Sequence, residues 1–141
     1  MKKDYIVIGK IDKTKIKLLY NNLITDEVVI TYERMKHIEE KRKDLYKKVK
    51  KILPDAIFNP EYIYKDWNER DNTIVLIKQI DKELKLNIII KTAVKFDEKH
   101  TKNSIITMME IGDKTFNKIL KNKKENLIFE NKTGQKRINI L

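Results

Sequence analysis

His37 is the residue whose type and neighbours most directly suggest chemistry. Its segment has helical spacing, and on a helix His37 shares one face with Arg34 and Lys41, three residues before it and four residues after it. Positive neighbours favour the neutral, proton-accepting form of an imidazole near neutral pH. A general acid or base beside cations suits cleavage of a phosphodiester. The alternative is a solvated surface histidine, which also applies to His100 in the polar segment 97–102.

Two lysines interrupt predicted strands that are otherwise apolar. Lys78 follows the apolar run 74–77, and Lys91 follows the run 88–90. Because a buried ammonium without a partner is costly, each lysine must reach solvent at a face of the sheet or contact an anion. The alternative for both is that the side chain extends to the solvated side of the sheet without binding anything.

Polar side chains also stand at the start and in the centre of a later apolar strand. They are Asn103, Ser104 and Thr107, in the segment Asn-Ser-Ile-Ile-Thr. Strand alternation puts Asn103 and Thr107 on one face and Ser104 on the other. Ser104 and Thr107 can therefore serve one site only if a bulge or a strand end intervenes. The alternatives are a turn residue for Asn103 and an ordinary strand former for Thr107.

Several classes of site find no support in the sequence. There is no glycine-rich phosphate loop, no dinucleotide-binding fingerprint and no nucleophile elbow. The chain has no cysteine, which excludes disulfides, thiolate metal sites and cysteine nucleophiles. Its two histidines lie 63 residues apart, and its acidic residues do not cluster. We therefore expect neither a metal ion nor another cofactor.

Net charge points to a polyanionic partner. The 141 residues include 32 Lys and Arg against 21 Asp and Glu, a net charge of +11. Such a surplus attracts RNA, DNA or an acidic protein. The alternative is a compositional bias, since 28 of the basic residues are lysine and Ile and Asn are also abundant, as in an A/T-rich genome. No apolar stretch approaches the roughly 20 residues of a membrane span, so we expect a cytoplasmic protein without membrane contact.

The elements that must position these residues suggest a single α+β domain over residues 1–141. Residues 5–8 and 28–30 form short strand-like runs, and 13–21 fits a short helix. Residues 32–53 predict two helices, or one helix broken near 41–44, with Thr31 as N-cap and Pro54 ending the second. Residues 62–67, 73–80, 86–94 and 103–111 predict a four-stranded antiparallel meander, its middle strands covered on both faces. Asp113 is the predicted N-cap of a final helix, 114–121, and the basic tail 122–141 adds a candidate strand at 127–129.

Taken in order, these pieces resemble a known family. The order is 7–11, then 24–31, then Lys-His-Ile on a helix (36–38), then Asn-Pro at 59–60, and finally Lys-Asn-Ser-Ile-Ile-Thr (102–107). The chain resembles the phage-associated Barnase–EndoU–colicin–RelE-like nuclease domains over about residues 5–120. The resemblance implies N-terminal helices packed on a four-stranded antiparallel sheet, with a metal-independent ribonuclease site on the sheet.

Carried over from the resemblance, His37 is the acid or base, and Ser104 and Thr107 contact the scissile phosphate. Lys91 and Lys78 stabilise the charge that develops on phosphorus. The remaining candidates for substrate binding are Arg34, Lys41, Arg42 and Asn103. One departure is that many members have a second histidine soon after the helical one, where this chain has Lys-Arg-Lys at 41–43.

The resulting hypothesis is a metal-independent ribonuclease of phage or mobile-element origin. In such a reaction the 2′-hydroxyl of the RNA attacks and leaves a 2′,3′-cyclic phosphate, so DNA is not cut. A toxin role, with an immunity or antitoxin protein as partner, is part of this expectation. The alternative is a non-catalytic nucleic-acid-binding module, or a phage accessory protein, on the same fold.

Overall fold

The computed structural model describes residues 4–16, 23–68, 70–94 and 102–131. Its strands are β1 (Tyr5–Lys10), β2 (Glu27–Thr31), β3 (Tyr62–Lys65), β4 (Thr73–Gln79), β5 (Lys85–Lys91), β6 (Asn103–Ile111) and β7 (Leu127–Glu130). Its helices are α1 (Tyr32–Lys41), α2 (Leu45–Val49), α3 (Leu53–Phe58) and α4 (Asp113–Asn122), with 3-10 turns at Lys13–Lys15 and Lys124–Asn126. None of the helices in this part of the chain is long and apolar enough to cross a membrane. The predicted helix 13–21 is a 3-10 turn at its start, and residues 17–21 lie outside the described residues.

The seven strands form one sheet in the order β1-β2-β6-β5-β4-β3-β7. Neighbouring strands are antiparallel except β2 and β6, which are parallel. The mixed α+β class is confirmed, and β3 to β6 form the predicted meander. The prediction of a four-stranded sheet is wrong, because β1 and β2 extend the sheet beyond β6 and β7 extends it beyond β3. Periodicity reports how a segment is buried and not which distant segment it pairs with.

Three helices, not two, follow β2. As predicted, Thr31 is the N-cap of α1, and its hydroxyl accepts a hydrogen bond from the backbone N–H of Arg34 at 3.0 Å. It ends at the predicted break near 41–44, where Asp44 has a left-handed backbone conformation with φ of 64°. The prediction that Pro54 ends a helix is wrong, because Pro54 lies in the first turn of α3. Proline is tolerated there because N–H groups of a first turn have no partner within the helix.

Apolar side chains cover both faces of the sheet. On the first face, α1 and α3 bury Ile38 and Leu53 against the sheet core that includes Ile88. On the second face, α4 packs through Phe116 on a smaller core that includes Tyr64. Of the described helices, α1, α2 and α3 thus cover the first face and α4 covers part of the second.

The start of α4 differs from the prediction. Gly112 occupies the N-cap position, and Asp113, the predicted N-cap, lies in the first turn without making a capping hydrogen bond. The Asp113 carboxylate instead pairs with the ammonium of Lys85 at 2.8 Å. Lys85 also lies over the ring of Phe116, 4.6 Å from its centroid. Asp113 therefore attaches α4 to β5 through Lys85 and does not cap its own helix.

Candidate active site

A bulge in β6 places Ser104 and Thr107 on the same face of the sheet. Ile105 pairs with Ile90 of β5 and Thr107 pairs with the adjacent Ile89, so Ile106 is an extra residue in β6. Strand alternation therefore shifts by one residue at this position. It shifts Thr107 onto the second face, which Ser104 already occupies. The bulge that Ser104 and Thr107 need in order to serve one site is therefore present.

An open cavity of about 280 Å³ lies between α1 and β6. The side chains that line it from β6 are Ile106, Thr107 and Met109. From α1 come Arg34, His37, Ile38 and Lys41, with Arg42 at the end of the helix. The last lining residue, Arg70, belongs to the connection between β3 and β4. The cavity therefore joins residues that are up to 75 positions apart in the sequence.

Helix geometry explains how α1 contributes to the cavity. Ile38 is 1% exposed and anchors the helix in the first core. The side chains at positions 34, 37 and 41 then follow one another along the adjacent face, as the sequence spacing predicts. The Thr31 cap fixes where this face begins. His37 is exposed at the surface of the cavity, beside three of the cationic residues that line it.

The composition of the cavity favours an anionic ligand that undergoes proton transfer. Four of its lining residues are cationic, and among the described residues no carboxylate lines it. His37 supplies an imidazole and Thr107 a hydroxyl. The floor formed by Ile106 and Met109 adds apolar surface beside these polar groups. An imidazole, a hydroxyl and several cations are the groups that phosphoryl chemistry uses.

Arg70 is a cavity residue that the sequence reasoning missed. It lies in a polar connection between two strands, where an arginine is ordinarily solvated, and no motif marks it. Its Nε donates to Oδ2 of Asp66 at 2.6 Å, and the Asp66 side chain is 1% exposed. The only sequence signal is a carboxylate four residues before an arginine, which is too common to be informative.

Lys91 and Ser104 lie beside the cavity and not within it. They face each other on β5 and β6. Lys91 is on the second face because Ile89, two residues earlier, packs in the second core. Lys91 forms no ion pair with any residue that the structure describes. Both side chains are therefore placed next to the cavity on the face that Thr107 occupies.

Lys78, by contrast, lies on the first face, and its ammonium is already paired with other residues of the protein. Its ammonium is 3.0 Å from Oδ2 of Asp55 and 3.8 Å from Oε2 of Glu61, and it donates to the carbonyl of Asn59 at 2.9 Å. A hydrogen bond from the Asn59 side chain, and then the one from Lys78, lower the pKa of Asp55. The structure therefore gives Lys78 a role in holding α3 to β4, away from the cavity.

Asn103 is also separated from the cavity. Its side chain is fully buried, and its Oδ1 accepts from the backbone N–H of Ala93 at 2.7 Å. Its Nδ2 donates to the carbonyls of Thr25 and Glu27, at 2.8 Å each. All of these contacts are with backbone, so the amide joins the ends of three chain segments, and both of its N–H donors are already used.

The described residues contain no group of three or more His, Asp or Glu side chains that could hold a metal ion. His100, the second histidine, lies outside the described residues. The acid–base groups that the cavity offers are therefore His37 and the ammonium of Lys41.

Comparison with known proteins identifies the family to which the chain belongs. No curated protein and no solved structure matches the chain. The family model described as phage-Barnase-EndoU-ColicinE5/D-RelE like nuclease2 matches residues 7–130. This match includes every element that lines the cavity, and it extends past residue 120 to include β7. The chain belongs to this family of phage-associated nucleases.

Proposed function

We propose that this nuclease cuts RNA without a metal ion, by attack of the 2′-hydroxyl on the adjacent phosphate. The observation that carries the proposal is the cavity between α1 and β6, where His37 and Thr107 lie among four cationic residues. RNA fits this site better than DNA because RNA contains its own nucleophile. An acid–base group that lies among cations can use that nucleophile directly.

Each group of the cavity has a role in this reaction. His37 accepts the proton of the 2′-hydroxyl while its oxygen forms a bond to phosphorus. The bond from phosphorus to the 5′-oxygen breaks, and the leaving oxygen takes a proton from Lys41. The product ends are a 2′,3′-cyclic phosphate and a 5′-hydroxyl, and proton exchange with water restores His37 and Lys41. In this proposal Lys41, the first residue of the Lys-Arg-Lys stretch at 41–43, does the work of a second histidine.

The charge that develops on the phosphate needs hydrogen-bond donors. The Thr107 hydroxyl is placed to donate to a non-bridging oxygen, and Arg34 and Arg42 supply charge-assisted hydrogen bonds. Because Lys91 and Ser104 lie beside the cavity on the same face, we assign them to a neighbouring phosphate of the strand. Asn103 and Lys78 have no part in this proposal.

Cleavage of RNA in EDTA tests the proposal directly. The wild-type protein should cut RNA to 2′,3′-cyclic phosphate ends and should leave DNA and 2′-O-methyl RNA intact. His37→Ala should lower kcat by about 100- to 10,000-fold, the contribution of one general acid or base. Thr107→Val, which keeps the shape of the side chain, should lower kcat by about 100-fold. Lys36→Ala is the matched control, because Lys36 is exposed on α1 and does not line the cavity.

Two results would contradict the proposal. Cleavage by His37→Ala at the wild-type rate would remove His37 from the chemistry. Steeply salt-dependent RNA binding with no cleavage would favour the alternative, a binding module without catalysis. A toxin role follows from the proposal because unchecked RNA cleavage harms a cell, and an immunity or antitoxin protein would then be a partner. Growth arrest on expression of the wild type, but not of His37→Ala, tests that role.

A further inference from the structure

The connection between β3 and β4, residues 66–68 and 70–72, is held in a defined shape. Thr92, just beyond β5, donates from both its backbone N–H and its hydroxyl to the carbonyl of Asn72, at 2.7 Å each. At the other end, the backbone N–H of Asp66 donates to the carbonyl of Thr73 at 3.0 Å. Trp67 packs edge-on against the ring of Tyr64 in the second core. We call this segment the Arg70 loop.

Asp66 is a buried carboxylate whose partners are both in the same loop. Its Oδ1 accepts from the backbone N–H of Asn68 at 3.0 Å, and its Oδ2 accepts from Nε of Arg70 at 2.6 Å. A carboxylate that is 1% exposed requires such partners, because an uncompensated buried charge is costly. The Arg70 guanidinium is therefore held by a rigid acceptor, not by a mobile surface group.

The bond to Asp66 leaves most of the Arg70 guanidinium free. Among the described residues the guanidinium donates only through Nε, so its terminal nitrogens keep four N–H donors in one plane. The Arg70 side chain is 41% exposed and lines the cavity. In the sheet, β3 and β4 lie on one side of β6, whereas β2, which leads into α1, lies on the other. Arg70 therefore reaches the cavity from the side opposite His37.

We propose that Arg70 binds the scissile phosphate from this second side and that Asp66 is the positioning residue that aims it. This inference rests on the proposed function and adds a residue outside α1 and β6 to the site. A planar fork of donors matches two phosphate oxygens, which a lysine at the same place would not. With α1 supplying cations from one side and Arg70 from the other, the phosphate is held between two walls of the cavity.

The substitution Asp66→Asn distinguishes the positioning of Arg70 from the effect of the protein's net charge on RNA binding. The substitution makes the protein more positive by one unit, so an effect of charge alone would tighten RNA binding. It also presents an amide that can donate where Arg70 Nε needs an acceptor, so the guanidinium would lose its fixed direction. Positioning by Asp66 therefore predicts weaker binding in a more positively charged protein.

The probe is a 2′-O-methyl RNA oligonucleotide, which can bind but lacks the nucleophile for cleavage. Arg70→Ala and Asp66→Asn should each weaken its binding by about 10- to 100-fold at low salt, the range for hydrogen bonds to a charged group. In Arg70→Ala the slope of log affinity against log salt should also fall by about one. Arg70→Lys keeps a charge beside Asp66 and should still lose about 10-fold, because the fork is gone. Lys65→Ala is the matched control, since Lys65 is an exposed cation next to the loop that does not line the cavity.

The outcomes distinguish this inference from the proposed function. If the wild type does not cut unmodified RNA, the proposed function fails, and the binding comparison still decides whether Arg70 binds phosphate. If the wild type cuts RNA, Arg70→Lys and Asp66→Asn should each lower kcat by about 100-fold, which a purely structural pair would not do. Wild-type or tighter binding by Asp66→Asn, with wild-type cleavage, would overturn the inference. Thermal unfolding of each variant identifies folded protein, and Arg70→Lys carries the test if Arg70→Ala does not fold.

Discussion

Replacing Asn103 with alanine should destabilise the fold strongly and leave the proposed binding of RNA nearly intact. The Asn103 amide makes three hydrogen bonds of 2.7–2.8 Å, all with backbone groups, and its side chain is fully buried. Alanine removes these bonds and leaves one N–H and two carbonyls without their partner. At about 1 kcal/mol net for each bond, the loss is about 3 kcal/mol. This is a large part of the roughly 5–15 kcal/mol that stabilises a typical domain.

Urea unfolding measures this loss. With a slope of about 2 kcal/mol per M urea, the midpoint for Asn103→Ala should fall by about 1.5 M. The matched control is Asn117→Ala, which removes an exposed amide from α4 and should change the free energy of unfolding by less than about 0.5 kcal/mol. The affinity of folded Asn103→Ala for a 2′-O-methyl oligonucleotide should stay within a few-fold of wild type. Wild-type stability with loss of RNA binding would refute the reasoning and would return Asn103 to the substrate site.

Two further predictions concern buried polar groups of the second face. Burial raises the pKa of Tyr64 to about 12 from its ordinary 10.0, so its stabilising contribution is complete below about pH 10 and is lost as the pH rises towards 12. The free energy of unfolding should therefore fall by about 2 kcal/mol over that interval, and Tyr64→Phe should show a smaller fall. Asn87 is 4% exposed, and its Oδ1 has no hydrogen-bond partner among the described residues. Asn87→Leu should raise the free energy of unfolding by about 1 kcal/mol, as measured by urea unfolding. A lower free energy of unfolding in this variant would mean that the Asn87 amide has a partner.

The secondary structure could be predicted because its signals are local. The apolar runs identified all seven strands, and the Thr31 cap and the spacing around His37 identified α1. The pairing of β1, β2 and β7 could not be predicted, because it depends on contacts between distant segments. The prediction for Pro54 was wrong because proline is common both after the end of a helix and in its first turn. Only the residues that follow show which of these two positions it occupies.

The candidate site was predictable where it depends on one helix and unpredictable where it depends on tertiary structure. Arg34, His37 and Lys41 needed only a helical period to be placed together. Thr107 needed the bulge at Ile106, which no glycine marks in the sequence. Arg70 could be placed at the cavity only once the folded shape of the connection between β3 and β4 was known. Lysines and asparagines in apolar strands were ambiguous, because a substrate and a structural partner satisfy such groups equally well.

Asn103 shows how a residue without substrate contact can still matter to the site. The strand β2 leads directly into α1, one wall of the cavity, and β6 forms the floor. Yet β2 and β6 pair through only two residue pairs, Val28 with Asn103 and Val29 with Ser104. The two bonds from the Asn103 amide to carbonyls near the start of β2 add to this short pairing. They therefore help to fix the distance between His37 and Thr107. It follows that any loss of activity in Asn103→Ala should increase with temperature as the β2–β6 pairing weakens, whereas the loss in His37→Ala should be present at every temperature.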